Sequence, residues 1–240
     1  MTQFAADFIG LAPKKSYDPA TALSLAIACD LAYADADTIA SVSAGWGYSE
    51  FCFINVLKGR DIDTQGFVMS NATDVVCVLR GSDNTADWFA NFQAVYDPGP
   101  LVKTRAHEGF QDALYPAVIA LTNAIDTMHG ASKRIWVTGH SLGGALCALY
   151  AGMLIENGYK VFGIYTFASP RPGDDEYAQA LNKVMGKGPF YRIVNDGDVV
   201  PHLPPEPFYS HPGRRVMLSA SKKRDTSKRG WTRLREKMFK

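Results

Sequence analysis

The sequence lacks the cysteine patterns that mark disulfide-rich or zinc-binding proteins. It has four cysteines in 240 residues, and none forms a C-x-x-C pair or stands at metal-ligand spacing from a histidine. All four stand singly in apolar stretches: Cys29, Cys52, Cys77 and Cys147. We therefore expect buried free thiols, no metal site and a reducing, cytoplasmic setting.

Long apolar runs and a leader pattern are also lacking. The most apolar stretch, 145–155, is about half of the ~20 residues that a membrane-spanning helix needs. In the first fifteen residues the lysines follow a short apolar stretch instead of preceding it, and no A-x-A site follows. These absences predict a cytoplasmic protein, either soluble or peripheral to a membrane, without a signal peptide.

Excess charge of one sign is missing as well, although the charges are unevenly placed. The net charge of +1 gives no indication of nucleic-acid binding. From Gly213 onward there are eleven Lys and Arg against two acids, which leaves 14 basic and 22 acidic residues before it. Since 47% of the residues are hydrophobic, we expect one core: a single domain over 1–212, followed by a basic tail over 213–240.

Helical and strand-like segments alternate through most of the chain. Helical periodicity predicts helices at 19–34, 111–128, 142–156 and 174–184. Apolar runs rich in Val, Ile and Phe predict strands at 51–57, 66–69, 75–79, 135–138, 161–167 and 190–194. This order predicts an α/β protein with a mainly parallel central sheet and helices on both faces.

The segment Gly139-His140-Ser141-Leu142-Gly143 matches G-x-S-x-G between a predicted strand and a predicted helix. Such a reversal exposes a nucleophilic serine, and the glycines leave room for the neighbouring chain. The backbone N–H of Leu142 opens the helix and predicts half of an oxyanion hole. A short pattern also arises by chance, but the flanking strand and helix argue against that here.

Six motifs carry a resemblance to a known family. In chain order they are Val75-Val76-Cys77-Val78-Leu79-Arg80-Gly81-Ser82, Asp87-Trp88, His107-Glu108-Gly109-Phe110, Gly139-His140-Ser141-Leu142-Gly143-Gly144, Thr166-Phe167-Ala168-Ser169-Pro170-Arg171-Pro172-Gly173, and Asn195-Asp196-Gly197-Asp198-Val199-Val200-Pro201-His202-Leu203-Pro204-Pro205. Across about 51–212 the sequence resembles the fungal-type triacylglycerol lipases (class 3 lipases). This resemblance implies the α/β-hydrolase fold.

The resemblance also implies roles for single residues. Ser141 corresponds to the nucleophile, and Asp198 to the acid that orients a histidine. Ser82 corresponds to the residue that completes the oxyanion hole beside Leu142. Asp196 is a rival for the acid, although Asp198 alone precedes Val-Val-Pro, and by composition Ser82 fits an ordinary turn equally well.

Two further segments resemble membrane-facing parts of the family. Trp88, Phe89 and Phe92 recur at helical intervals and resemble the start of a lid, although an amphipathic core helix has the same pattern. The basic tail 213–240 contains an amphipathic segment suited to an anionic membrane surface. A solvated terminus is the alternative for this tail.

The catalytic histidine is the open point of the resemblance. The family places it some tens of residues beyond the acid, whereas no histidine follows His211 here. His211 lies in Tyr209-Ser210-His211, a Y-x-H segment that the family carries in addition to its catalytic histidine. Either the chain stops short of its histidine, which we favour, or His211 completes a triad with Ser141 and Asp198.

The leading hypothesis is a lipase-like serine hydrolase of carboxylic esters that forms an acyl-enzyme at Ser141. Its substrate would be an acyl ester or lipid, and it would need neither a cofactor nor nucleic acid. The alternative is a catalytically incomplete hydrolase-fold protein that binds lipid or a membrane surface. An amidase or thioesterase would use the same residues with a different pocket.

Overall fold

The computed structural model describes residues 8–58, 62–82 and 95–218. The helices in these ranges are α1 (Pro19–Leu31), α2 (Ala36–Gly45), α3 (Glu108–Thr127), α4 (Leu142–Glu156) and α5 (Asp175–Met185). The strands are β1 (Glu50–Lys58), β2 (Ile62–Ser70), β3 (Asp74–Leu79), β4 (Tyr96–Pro98), β5 (Arg105–His107), β6 (Arg134–His140), β7 (Val161–Phe167), β8 (Phe190–Asn195) and β9 (Arg214–Leu218). Short 3₁₀ turns lie at Gly130–Ser132 and Val200–His202.

Seven strands of the described chain form one sheet in the order β1-β2-β3-β6-β7-β8-β9. The pairs β1–β2 and β2–β3 are antiparallel, and every later pair is parallel. Strands β4 and β5 form a separate antiparallel pair. The predicted, mainly parallel central sheet is therefore confirmed.

Two apolar layers cover the faces of this sheet. One contains α1 and α2 side chains together with Phe67 and Trp136, and the other contains side chains of α3, α4 and α5. Alternation along β6 sends Trp136 to the first layer and its neighbours Ile135 and Val137 to the second. A strand covered on both faces is apolar throughout, which is why the alternating pattern was absent from the sequence.

The first residues of α1 are stabilised by a capping side chain and a proline. Asp18 caps α1 by accepting a hydrogen bond from the Thr21 N–H, with Pro19 at the first helical position as predicted. Helix α4 has the predicted bounds. It is apolar on all sides because it is buried between the sheet and α3.

Part of the predicted basic tail belongs to the sheet. Strand β9 pairs with β8, and Arg215 lies opposite Arg192. This strand was not predicted because an edge strand carries charged side chains, whereas strands were predicted from apolar runs. The candidate lid residues Trp88, Phe89 and Phe92 and the tail from 219 onward lie outside the described residues.

The four cysteines are free thiols, and all except the half-buried Cys52 are buried. Burial raises the pKa of Cys29 to about 12, so this thiol stays protonated. None of the helices in the described part of the chain combines the length and apolar character of a membrane span.

Candidate active site

Ser141 forms the turn between β6 and α4. Its φ and ψ are 54° and −128°, and a positive φ is unusual for a residue with a side chain. The Ser141 N–H donates to the Phe167 carbonyl at 2.9 Å, and its own carbonyl accepts from the Gly144 N–H at 2.9 Å. Backbone strain of about 1–3 kcal/mol held in this way is typical of a functional turn.

The glycines of the motif are required by close backbone approach. A Cβ on Gly139 would lie 2.3 Å from the Gly143 carbonyl oxygen, and one on Gly143 would lie 2.2 Å from the Leu79 carbonyl oxygen. A Cβ on Gly144 would lie 2.7 Å from the Ser169 Cβ. The G-x-S-x-G-G pattern therefore encodes contact between α4, β3 and the segment after β7.

The end of β3 brings the second predicted oxyanion segment to Ser141. A Cβ on Gly81 would lie 3.3 Å from the Ser141 Cβ, and the half-buried Ser82 follows directly. Leu142 is the first residue of α4, where the helix dipole favours negative charge. Ser82 thus follows a residue that lies against Ser141, and Leu142 follows Ser141 itself.

The Ser141 hydroxyl itself is buried and unpaired. The residue is 2% exposed, and its Oγ has no hydrogen-bond partner in the described part of the chain. The five histidines of the sequence all lie within the described ranges. The geometry therefore does not bring any imidazole into hydrogen-bond contact with Ser141.

Two of the histidines have local contacts instead. The His140 Nδ1 lies 3.3 Å from the Tyr33 hydroxyl. His107 caps α3, where its Nδ1 accepts from the Phe110 N–H at 3.3 Å. These contacts give both rings a positional role.

Asp198 lies in the loop that follows β8. Its Oδ1 accepts a hydrogen bond from the Val200 N–H at 3.0 Å. Burial raises the pKa of this carboxyl group above its ordinary value, while that hydrogen bond and His202 act in the opposite direction. The rival Asp196 is exposed, so Asp198 is the more enclosed of the two carboxylates.

His211 contacts the same loop through the nitrogen that a general base would direct at serine. Its Nε2 lies 2.7 Å from the Pro201 carbonyl oxygen and donates to it, since a carbonyl only accepts. Its Nδ1 has no partner among the described residues. Burial, with the nearby charge of Arg192, lowers the pKa of His211 to about 3, so the ring is neutral near pH 7.

Sequence reasoning assigned no role to Arg171, which is buried at 6% exposure. Its guanidinium donates to the His202 and Pro204 carbonyls and pairs with Glu206 at 2.7 Å. The only signal in the sequence was a charged residue inside the otherwise uncharged motif at 166–173.

The chain has clear sequence relatives among fungal lipases. It is 34% identical over 142 residues to secreted mono- and diacylglycerol lipase 1 of Fusarium solani, covering 58% of this chain and 42% of that protein. It is 35% identical over 170 residues to a lipase of Rhizomucor miehei, covering 65% and 46% respectively. The chain thus matches less than half the length of these curated relatives.

A similar structure has also been solved. It is that of a triacylglycerol lipase whose catalytic centre is described as a serine protease triad. The TM-score is 0.60 at 28% identity, with 75% of this chain and 69% of the other covered. The predicted α/β-hydrolase fold is confirmed by this likeness together with the sheet order.

The predicted cytoplasmic setting is wrong. The Fusarium solani relative is a secreted lipase, which contradicts it. The prediction relied on unpaired cysteines, and three of the four thiols are buried. Buried thiols of this kind reflect packing in the core, and packing does not distinguish one compartment from another.

The family model for lipase (class 3) matches residues 76–208, which is more than half of the chain. This range contains the strained Ser141, the end of β3 and the Asp198 loop. The predicted family is therefore confirmed. The chain belongs to the class 3 lipase family.

Proposed function

We propose that this chain hydrolyses carboxylic esters of the lipase type, with Ser141 as the nucleophile. The observation that carries the proposal is the backbone of Ser141, held at positive φ between β6 and α4 with the end of β3 against it. A strained turn at the carboxyl edge of a parallel sheet is where this fold places a nucleophile.

The reaction follows from this arrangement. The Ser141 Oγ attacks the acyl carbon while a base takes its proton, and the carbonyl oxygen becomes an oxyanion beside the N–H groups of Leu142 and Ser82. Each such donor lowers the barrier by about 3 kcal/mol. Breaking the ester C–O bond releases the alcohol with that proton, and water then releases the acid from Ser141 by the same steps.

The substrate class is inferred from the relatives. A mono- and diacylglycerol lipase and a triacylglycerol lipase are among the proteins that this chain resembles, which favours acylglycerols. The lid at Trp88, Phe89 and Phe92 and a membrane-binding tail over 213–240 remain predictions.

The acid is assigned to a described residue, whereas none of the five histidines is assigned as the base. Asp198 is the proposed acid because it is partly buried and Asp196 is exposed. The contacts of His211 favour a role outside proton transfer, since its Nε2 is engaged by the Pro201 carbonyl.

A second candidate function rests on the unpaired hydroxyl. Since none of the five histidines, all in the described ranges, contacts the Ser141 hydroxyl, the second candidate is a catalytically incomplete hydrolase-fold protein that binds lipid without turnover. The two candidates differ in whether Ser141 becomes acylated and then turns over.

Hydrolysis of p-nitrophenyl butyrate and p-nitrophenyl palmitate separates them. The wild type is compared with Ser141→Ala, His211→Ala and His129→Ala, the last being a matched control at an exposed histidine. Labelling of Ser141 by a fluorophosphonate, with and without added imidazole, reports nucleophile competence independently of turnover.

We expect turnover that falls at least about 1000-fold in Ser141→Ala and is unchanged in His129→Ala. Labelling without turnover, with hydrolysis restored by imidazole, would identify a competent nucleophile that lacks a base. If the wild type is neither labelled nor faster than Ser141→Ala, the hydrolase proposal fails and the binding protein remains.

A further inference from the structure

We propose that Arg171 is a positioning residue that holds the Asp198 loop in place against the turn at Ser141, with His211 holding the same loop from another side. This inference rests on the proposed function, because it concerns where the acid of that site is held. It assigns a new role to one arginine and an alternative role to His211.

Arg171 bonds to four residues of the loop after Asp198. Its guanidinium donates to the carbonyl oxygens of His202 and Pro204 and pairs with the Glu206 carboxylate at 2.7 Å. Its backbone N–H donates to the Leu203 carbonyl at 2.7 Å. Proline-rich loops have few N–H donors of their own, so an arginine with five donors is suited to fix their carbonyls.

The segment that carries Arg171 also contacts the turn at Ser141. It follows Ala168, whose φ is 51°, and Ser169, whose Cβ lies against Gly144 in the first turn of α4. The Ser141 N–H donates to the Phe167 carbonyl at 2.9 Å, and Phe167 is four positions before Arg171 in the sequence. One short segment therefore joins the nucleophile and the acid loop.

His211 fixes the loop at its start. Its Nε2–H donates to the Pro201 carbonyl, directly before the carbonyls that Arg171 binds. Since Val200 N–H bonds the Asp198 carboxylate, Pro201 is the next residue after the one that orients the acid. The two side chains thus hold both ends of the turn that follows Asp198.

A purely structural arginine would produce a different signature from a positioning one. Misplacing Asp198 weakens its support of the protonated base, so the pKa of that base falls. The acid limb of the kcat/KM profile then moves to lower pH. General loss of stability lowers the amount of folded protein and leaves that limb in place.

The test compares Arg171→Met and Arg171→Lys with Arg134→Met. Arg134 is a matched control, because it is a half-buried arginine that pairs with Asp74 at the opposite edge of the sheet. For p-nitrophenyl butyrate, Arg171→Met should lower kcat about 10- to 100-fold with KM within about twofold, and the acid limb should move down in pH. Arg171→Lys should recover part of the loss, and Arg134→Met should leave the limb unchanged.

Hydrogen exchange over residues 198–206 gives a readout that needs no turnover. Exchange there should rise in Arg171→Met and stay at the wild-type level in Arg134→Met. If the wild type is neither labelled by the fluorophosphonate nor faster than Ser141→Ala, the proposed function fails, and exchange still decides whether Arg171 holds the loop. Wild-type exchange in Arg171→Met, or an unmoved acid limb in an active enzyme, would overturn the inference.

Discussion

The buried polar groups at the two ends of β3 and β6 differ in whether they are hydrogen-bonded. At the amino end, the Asp74 carboxylate accepts two bonds from Arg134 at 2.8 Å and one from Trp136 Nε1 at 2.7 Å. At the carboxyl end, the same strands lead to Ser141, whose buried hydroxyl has no partner among the described residues. The backbone at Ser141 is also strained, whereas Asp74 and Arg134 pair in register and neither has a positive φ.

The comparison indicates that the amino end of this strand pair contributes to stability and that the carboxyl end carries the reactive group. A satisfied buried network stabilises the fold, while an unsatisfied hydroxyl costs about 1–3 kcal/mol. That cost is tolerable only because the rest of the sheet compensates for it. Substitutions at the two ends should therefore have opposite consequences for stability and activity.

The largest effect on stability is expected at the amino end. Asp74→Asn removes the charge that Arg134 and Trp136 bind, and it should lower the free energy of unfolding by about 3 kcal/mol. Turnover per folded molecule should be unchanged. Urea unfolding with active-site titration measures both, and the exposed Asp126→Asn is the control. Lost turnover in a fully stable Asp74→Asn would contradict the separation.

A substitution at Gly143 should affect both stability and turnover. Gly143→Ala places a Cβ 2.2 Å from the Leu79 carbonyl, so α4 and β3 must move apart. We expect a loss of about 2 kcal/mol in unfolding free energy together with reduced turnover. Gly45→Ala, where a Cβ meets open space at the end of α2, is the control. A stable, fully active Gly143→Ala would show that the approach is not required.

His211 should make stability depend on pH. Its folded pKa of about 3 is below the ordinary 6.5, so the unfolded chain binds the extra proton between these values. Stability is therefore present above pH 6.5 and lost as the pH falls toward 3. His211→Gln keeps a donor for Pro201 and should remove about 1–2 kcal/mol of that decline. Urea unfolding at pH 7 and pH 4 checks it, and an equal decline in both proteins would refute it.

The smallest effect is expected at Asp198, and its sign opposes that at Asp74. Burial raises the pKa of Asp198, so its contribution to stability is present below the unfolded pKa and lost as the pH rises through the folded one. Asp198→Asn should thus be slightly more stable than wild type at pH 7 and equal to it at pH 3. Thermal unfolding at both pH values, with Asp196→Asn as the exposed control, measures this. Destabilisation of Asp198→Asn at pH 7 would contradict the prediction, because it would show that the charge of Asp198 stabilises the fold as that of Asp74 does.

The nucleophile turn was predictable because its chemistry is local. Gly139 is needed for a contact within one strand-turn-helix unit, where a Cβ would lie 2.3 Å from the Gly143 carbonyl oxygen, so the spacing of the two glycines reports that geometry directly. The core strands were predictable for the same reason, since burial on both faces leaves continuous apolar runs.

Features that depend on distant contacts were not predictable. The binding of Pro201 by His211 and of the loop carbonyls by Arg171 joins segments that have no common periodicity. Strand β9 escaped because Arg214 and Arg215 resemble the start of a charged tail, although Arg215 pairs with Arg192 in the sheet. In each case the residue that could be recognised in the sequence and the residue that it contacts belong to different segments of the chain.

The parallel pairing of β3 and β6 also has a kinetic consequence. It joins residues about sixty positions apart, such as Asp74 and Arg134. Contacts of such long sequence separation form slowly, because closing the long intervening loop costs chain entropy before the contact is gained. Gly81 and Ser82 reach Ser141 only through this pairing. During refolding, the oxyanion-binding geometry can therefore appear only with the central sheet, and activity should return in step with the last cooperative phase.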